Sequence, residues 1–353
     1  MSQDVFQRRP RGDDAARAVG ARRPLLRAGL AAVVIQAIPF DGWAATALRK
    51  AHRVGMLTYE DSPETTPLAS AFLREMSRRG HQEGQNLELI RRDVKISRPD
   101  FDHAAQDLVE ERPDVIAAMA GTPSIEALKA KTATIPIVML SSVEPVRDGL
   151  IASLGRPGGN VTGNSINGVE LLVKRLQMIA DIVHPQRIGY LGVKRSTFMR
   201  HYDEYQGALT SAARAIGAEL HVFTADSVDA LPAQFEAMKA RDIQALDLDN
   251  PAIFYVNHRR IAEMITSSRI PAIAEGKAWA VSGLPISYGV DYVDLARKAA
   301  VFVDKILKGA RPADLPVEQA TRFQMVINLK AAKDLGLTVP KRMVLLADEV
   351  IRQ

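Results

Sequence analysis

Three kinds of side chain stand where this chain could hold a small molecule. Gly121-Thr122-Pro123-Ser124 follows an apolar run and opens a helical pattern. It offers hydroxyls and free N–H groups at a helix start, a setting that suits a carboxylate. Ser142 and Glu144 follow the next apolar run, and Ser165 follows the one after. Asp249, Asn250 and Glu275 end two later runs, where Asp249 and Glu275 are suited to take an ammonium group. Tyr59, beside Glu60, and Tyr288, ahead of Asp291, are placed to stack on a ring. Plainer roles compete: Thr122 as a helix cap, Asp249 as a solvated loop acid, Tyr288 as packing at a strand end.

Catalytic patterns are missing from the same chain. Residues 155–160, Gly-Arg-Pro-Gly-Gly-Asn, resemble a phosphate loop but lack the G-x-x-x-x-G-K-[ST] order. The histidines at 52, 81, 103, 184, 201, 221 and 258 are scattered, with no H-E-x-x-H pair. No G-x-S-x-G nucleophile elbow occurs. The expectation is a binding protein with no catalysis, metal or cofactor. An exported α/β hydrolase and a ligand-sensing subunit for a membrane receptor are the alternatives.

The elements that must position these residues alternate. Apolar runs at 52–58, 86–93, 114–120 and 135–140 are separated by helical patterns at 67–79, 101–111 and 125–131. The same order returns after residue 165: helix 169–182, strand 187–193, helix 202–216, strand 219–224, helix 231–240, strand 245–249, helix 253–267, strand 271–274. Such alternation predicts parallel sheets with right-handed crossovers, and ligands then sit beyond the carboxyl ends of the strands. Two stretches echo each other. Residues 117–140 read strand, Thr-Pro-Ser-Ile, helix, Ile-Pro-Ile-Val; residues 245–274 read strand, Asn-Pro-Ala-Ile, helix, Ile-Pro-Ala-Ile. The echo predicts two lobes of similar topology. The Gly-punctuated stretch Asp148–Ser165 reads as a first crossing between lobes and Ser282–Asp291 as a second, with a third near Pro316–Arg322. The expected organisation is a leader over 1–47, a first lobe of 48–163 plus 288–318, and a second of 164–287 plus 319–353.

The leader sets the compartment. Arg22-Arg23-Pro24-Leu25-Leu26-Arg27, the apolar run Ala28–Phe40 and Ala45-Thr46-Ala47 have the three-part layout of a secretory signal, with a twin-arginine-like pair. Cleavage after Ala47 would remove seven of the 46 basic and four of the 41 acidic residues, which lowers the net charge from +5 to +2. No basic cluster remains to suit a nucleic acid. The chain has no cysteine, so disulfides, a thiolate metal site and a lipid-anchored cysteine are excluded. Apolar residues make up 47% of the chain, enough for two cores.

Three stretches carry a resemblance: GLIASLGRPGGNVTG, ILKGARPADLPVEQATRFQMVINLKAAKDLGLTVP and the terminal ADEVI. On these, the chain resembles the substrate-binding protein family of ABC transporters that includes tryptophan-binding lipoproteins of Gram-positive bacteria. The likeness runs from Val54 to Ile351. It implies an α/β fold of the periplasmic binding protein type I class: two doubly wound parallel-sheet lobes, three crossovers and a ligand cleft between. It further implies a small organic ligand (an amino acid or an aromatic or carboxylate compound), hinge closure, and an ABC permease with its ATPase as partners. Two departures matter. The anchor cysteine is absent, so a soluble, monomeric periplasmic protein is expected. Glu144 stands where many relatives have Asp before the proline.

Overall fold

The structure is a computed structural model and describes residues 51–60, 65–95, 98–194 and 201–352. The expected leader, with its Arg22-Arg23 pair and its cleavage site, lies outside these residues. The unit from Arg49 onward carries two sheets.

The first lobe begins β1 (His52–Tyr59), α1 (Thr66–Arg78), β2 (Leu87–Val94), α2 (Arg98–Glu110), β3 (Val115–Ala118), α3 (Gly121–Lys131), β4 (Ile137–Met139) and β5 (Val161–Ser165). The second continues α4 (Gly168–Val183), β6 (Arg187–Gly192), α5 (Tyr202–Ala215), β7 (Glu219–Thr224), α6 (Leu231–Ala240), β8 (Ala245–Leu248), α7 (Ala252–Val256), α8 (His258–Ser268), β9 (Ala272–Ala274), α9 (Lys277–Val281) and β10 (Ile286–Val290). The chain then returns to the first lobe with α10 (Tyr292–Leu307) and β11 (Glu318–Gln319). It ends in the second with β12 (Phe323–Asn328), α11 (Leu329–Asp334), α12 (Lys341–Leu346) and β13 (Glu349–Ile351). The first sheet runs β11-β5-β4-β3-β1-β2, all parallel. The second runs β13-β12-β10-β9-β8-β6-β7, with β10 and β12 antiparallel.

Each sheet is covered on both faces, which is why its strands are near-continuous apolar runs such as Val115–Ala118. One face of the first sheet packs on α1 through Phe72 and Met76 and on α10 through Leu295, Phe302 and Val303. The other packs on α2 and α3 through Phe101, Leu108, Ile125 and Leu128. In the second lobe Trp279, Phe254 and Ile261 fill one face, and Leu172, Leu176 and Ile179 the other. Each such side chain contributes about 1.5–3 kcal/mol when fully buried.

The crossings are shorter than the sequence suggests. The Gly-rich stretch is a loop inside the first lobe, joining β4 to β5, with Leu150 and Ile151 in that lobe's core. Glycine and apolar residues serve a packed loop as well as a crossing, so composition does not separate the two. Gly163 has φ +127, and a Cβ there would run into the backbone of Met139 on β4. The changeover comes after Ser165. Asn164 and Ser165 pair with Glu318 and Gln319 in the first sheet, so strand pairing moves these residues, with Gln319, out of the expected second lobe. Likewise Tyr288, Gly289 and Val290 pair with Met325, Gln324 and Phe323 in the second sheet, and the chain changes lobes at Asp291. The third changeover is 320–322, inside the expected stretch. Backbone bonds tie the third changeover to each of the other two: Ala320 N donates to Ser165 O at 2.8 Å and Asp291 N to Arg322 O at 3.1 Å.

Two helices differ from expectation. The helix expected over 253–267 is divided at Asn257, whose Nδ2 donates to the Ile253 carbonyl at 2.8 Å in place of uninterrupted helix. Helix α9 was not anticipated; it forms around Trp279, which is fully buried.

Candidate functional site

In the first lobe the strand ends present a hydroxyl shelf. Thr122 lies in the first turn of α3 and Ser142 just beyond β4, and their oxygens are 3.3 Å apart in a buried setting. Thr122 is not the cap expected as its plainer role: the N-cap position is Ala120 and makes no side-chain cap bond. Asn250 does not cap either, since Pro251 holds the N-cap position of α7 and Asn250 Oδ1 accepts from Trp279 Nε1 at 3.3 Å. Ser124 is used locally, donating to the Gly121 carbonyl at 2.7 Å. Tyr59 donates its hydroxyl to Ala120 O at 2.9 Å and sets its ring edge-on to Phe101, which braces the turn that starts α3. Burial pushes that hydroxyl above its ordinary range. Glu60 is exposed, 4.0 Å from Lys95. Glu144 lies 3.5 Å from Arg147. Glu144 and Ser165 line one cavity of about 190 Å³ with Val146, Asn167 and Gln319. The Ser165 hydroxyl is buried there and has no hydrogen-bond partner among the described residues.

The second lobe answers with carboxylates. Asp249 follows β8 and accepts from Asn250 N at 2.9 Å. Glu275 follows β9 and is buried. Its Oε1 accepts from the Tyr292 hydroxyl at 3.1 Å, and its Oε2 is 3.7 Å from Arg175 Nη1. Tyr292 belongs to α10 of the first lobe, so this bond spans the two lobes. A second cross-lobe contact joins His201 Nε2 to Asp148 Oδ1 at 3.1 Å. Asp291 caps α10 by accepting from Asp294 N at 3.0 Å and meets Arg322 at 3.3 Å, so it shapes the crossing. Tyr288 stacks on Phe323, centroids 5.9 Å apart, and its ring is spent between β10 and β12.

Sequence reasoning missed Arg175 and Asp247. Arg175 Nε donates to Asp247 Oδ1 at 2.8 Å, and both side chains are buried. A signal existed. Arg175 falls on the apolar stripe of α4 with Leu171, Leu172 and Ile179, and Asp247 interrupts the apolar strand Ala-Leu-Asp-Leu. A charge at an inward position announces a partner. Burial raises Asp247 to about 7, against the pull of Arg175. Burial also raises Glu275, with Arg175 and the Tyr292 hydroxyl pulling it back. Arg175 itself, which burial alone would lower, is held above its ordinary value by the two carboxylates.

Among the described residues no helix is long and apolar enough to cross a membrane, and no group of three or more His, Cys, Asp or Glu side chains is placed to hold a metal ion.

Comparison with known proteins gives consistent results. Residues 69–351 match the family described as ABC transporter substrate binding protein. A tyrosine-binding protein of Clostridioides difficile (strain R20291) is 24% identical over 292 residues, covering 82% of each chain. The structure of an ABC domain in complex with L-Trp from Streptococcus pneumonia superposes with a TM-score of 0.78 at 21% identity, over 86% of this chain and 100% of that one. A conserved domain protein from Vibrio cholerae gives a TM-score of 0.76 at 24% identity, over 85% and 100%.

Proposed function

Because this chain belongs to the ABC transporter substrate binding protein family and has the type I periplasmic-binding-protein fold, we propose that it is an exported, monomeric solute-binding subunit that captures an amino acid or related aromatic zwitterion and delivers it to a permease and its ATPase. The observation that supports this most is the opposed chemistry of the two sets of strand ends. Thr122 at the start of α3 and Ser142 just beyond β4 suit a carboxylate, and Asp249 and Glu275 suit an ammonium. The relatives agree in kind, one being named for tyrosine and one solved with L-Trp. A ligand touching both lobes stabilises only their closed arrangement, and closure about residues 165–168, 290–292 and 319–323 presents a changed surface to the permease. The protein acts as a carrier without turnover, and the leader routes it to the periplasm.

A thermal-shift screen against the L-amino acids, aromatic acids and small amides tests the reading. A bound ligand at 100 times its dissociation constant adds about 2.7 kcal/mol of stability. Small-angle scattering with the best compound should show a smaller radius of gyration. Thr122→Val should weaken binding by about 1–3 kcal/mol if the hydroxyl is a contact. An unchanged radius at saturation, with affinity insensitive to Thr122→Val and Asp249→Asn, places the site elsewhere.

A further inference from the structure

Behind the strand ends of the second lobe, Arg175, Asp247 and Glu275 bring one positive and two negative formal charges into a space water hardly reaches, with exposures of 4%, 0% and 8%. The guanidinium is committed to both acids, at 2.8 Å from Asp247 Oδ1 and 3.7 Å from Glu275 Oε2. The second oxygen of Asp247, Oδ2, is buried and has no hydrogen-bond partner among the described residues. One guanidinium balances one carboxylate, and a second buried negative charge is costly unless it is neutralised. The groups facing Asp247 are Arg175 from α4, Tyr190 from β6, Asp249 from the end of its own strand and Glu275 from β9. Glu275 also faces the Tyr292 hydroxyl from α10 and Asp249, and Asn250 faces Tyr292 in turn. Asp249 has further partners of its own. Of the groups named here, only Arg175 is a cation.

We propose that Asp247 holds a proton in the empty protein and gives it up to solvent when the protonated amine of a ligand docks against Glu275. This rests on the ammonium reading of Glu275 given above. The charges balance at both ends of the step. The empty cluster is Arg175 positive, Glu275 negative and Asp247 neutral. The loaded cluster is Arg175 and the ligand amine positive, Glu275 and Asp247 negative. The proton leaves the Asp247 carboxyl for the buffer, and no other bond changes. Asp247 is the deeper of the two acids and the one with the orphaned oxygen, and Glu275 keeps the Tyr292 hydroxyl as a donor to its charge. Burial pushing Asp247 up to about 7 agrees with that assignment. Asp247 and Arg175 are positioning residues here, acting on the ligand through Glu275.

Infrared spectroscopy of the empty protein and calorimetry with L-tyrosine and L-tryptophan test the proposal. At pH 6 the wild type should show a protonated-carboxyl band that Asp247→Asn removes. Titrations in two buffers of different ionisation enthalpy should show about one proton released per amino acid bound at pH 6 and about none at pH 8.5. Affinity should rise about tenfold per pH unit below pH 7 in the wild type and stay flat in Asp247→Asn. If that variant does not fold, Asp247→Leu removes the same carboxyl and leaves Arg175 to balance Glu275. Absence of the band, its survival in the variant, or amino-acid binding without proton release overturns the proposal. If neither amino acid binds although the band is present, the ammonium reading fails and takes the release step with it.

Discussion

The Tyr292 hydroxyl, in the first turn of a first-lobe helix, donates a 3.1 Å hydrogen bond to Glu275 at the end of a second-lobe strand. One side chain thus ties the body of one lobe to the strand ends of the other. Tyr292→Phe keeps the ring and deletes the bond. We expect it to cost about 1.5–3 kcal/mol in urea unfolding, the range for a hydrogen bond to a charged group. A loss below about 0.5 kcal/mol would mean that the bond is not held in solution.

Arg175 is the counter-charge of the second lobe. Arg175→Met leaves two buried acids without their cation and should cost about 3–5 kcal/mol. The double change Arg175→Met with Asp247→Leu should recover part of that loss, because the carboxyl stranded by the first substitution is gone. Chemical denaturation of the three proteins measures it, and a double variant as unstable as the single one would contradict the charge argument.

At the opposite end of the first lobe, Asp304 receives His81 Nε2 at 2.8 Å, Lys308 at 2.8 Å and Arg79 at 3.4 Å. Burial alone would raise its carboxyl, but hydrogen bonds from Lys308 and His81 outweigh burial and hold it below the ordinary value of 3.8. The sign follows: a folded value below the unfolded one stabilises above about pH 4, and the gain is lost as pH falls through the lower folded value. Melting temperatures of wild type and Asp304→Asn should differ from pH 6 to pH 5 and converge below pH 4. A constant gap across that range would rule out the ionic contribution.

Gly289 of β10 lies under Glu275, and a methyl group there would overlap the glutamate Cγ and crowd its Cβ. Gly289→Ala should displace the carboxylate, lower ligand affinity, and cost about 1–3 kcal/mol as an overpacked site. Gly155→Ala is the control, because a Cβ there meets nothing within 4 Å. Equal effects of the two would refute the packing argument.

Export is checked by location. Arg22→Lys together with Arg23→Lys should hold the chain in the cytoplasm if the arginine pair is read as such. Normal periplasmic amounts of the variant would exclude the twin-arginine route while leaving export itself standing.

The two-lobe α/β architecture was legible because buried parallel strands and amphipathic helices write different periods into the chain, as Val115–Ala118 and the Phe72–Met76 stripe do. The crossings were not, because each is only one to three residues long, and the glycines that drew attention serve the loop before β5. The placing of Thr122, Asp249 and Glu275 just beyond strand ends followed from topology alone. The Arg175–Asp247 pair did not: its members lie 72 residues apart and meet only once α4 covers β8. The tyrosines show the same limit. The sequence points to Tyr59 and Tyr288 for their rings, whereas the structure spends one on Phe101 and the other on Phe323.

Helix α10 supplies Leu295, Ala296, Ala299, Ala300, Phe302, Val303 and Ile306 to the core of the first lobe, yet it is made only after every parallel strand from β6 to β9. On a growing chain the first lobe therefore waits. One face of its sheet is covered only in part, by α1, until residues 292–307 emerge, by which time most of the second lobe is already synthesised. The order of synthesis delays completion of the first core, and until then the apolar surface that α10 will cover stays open to aggregation.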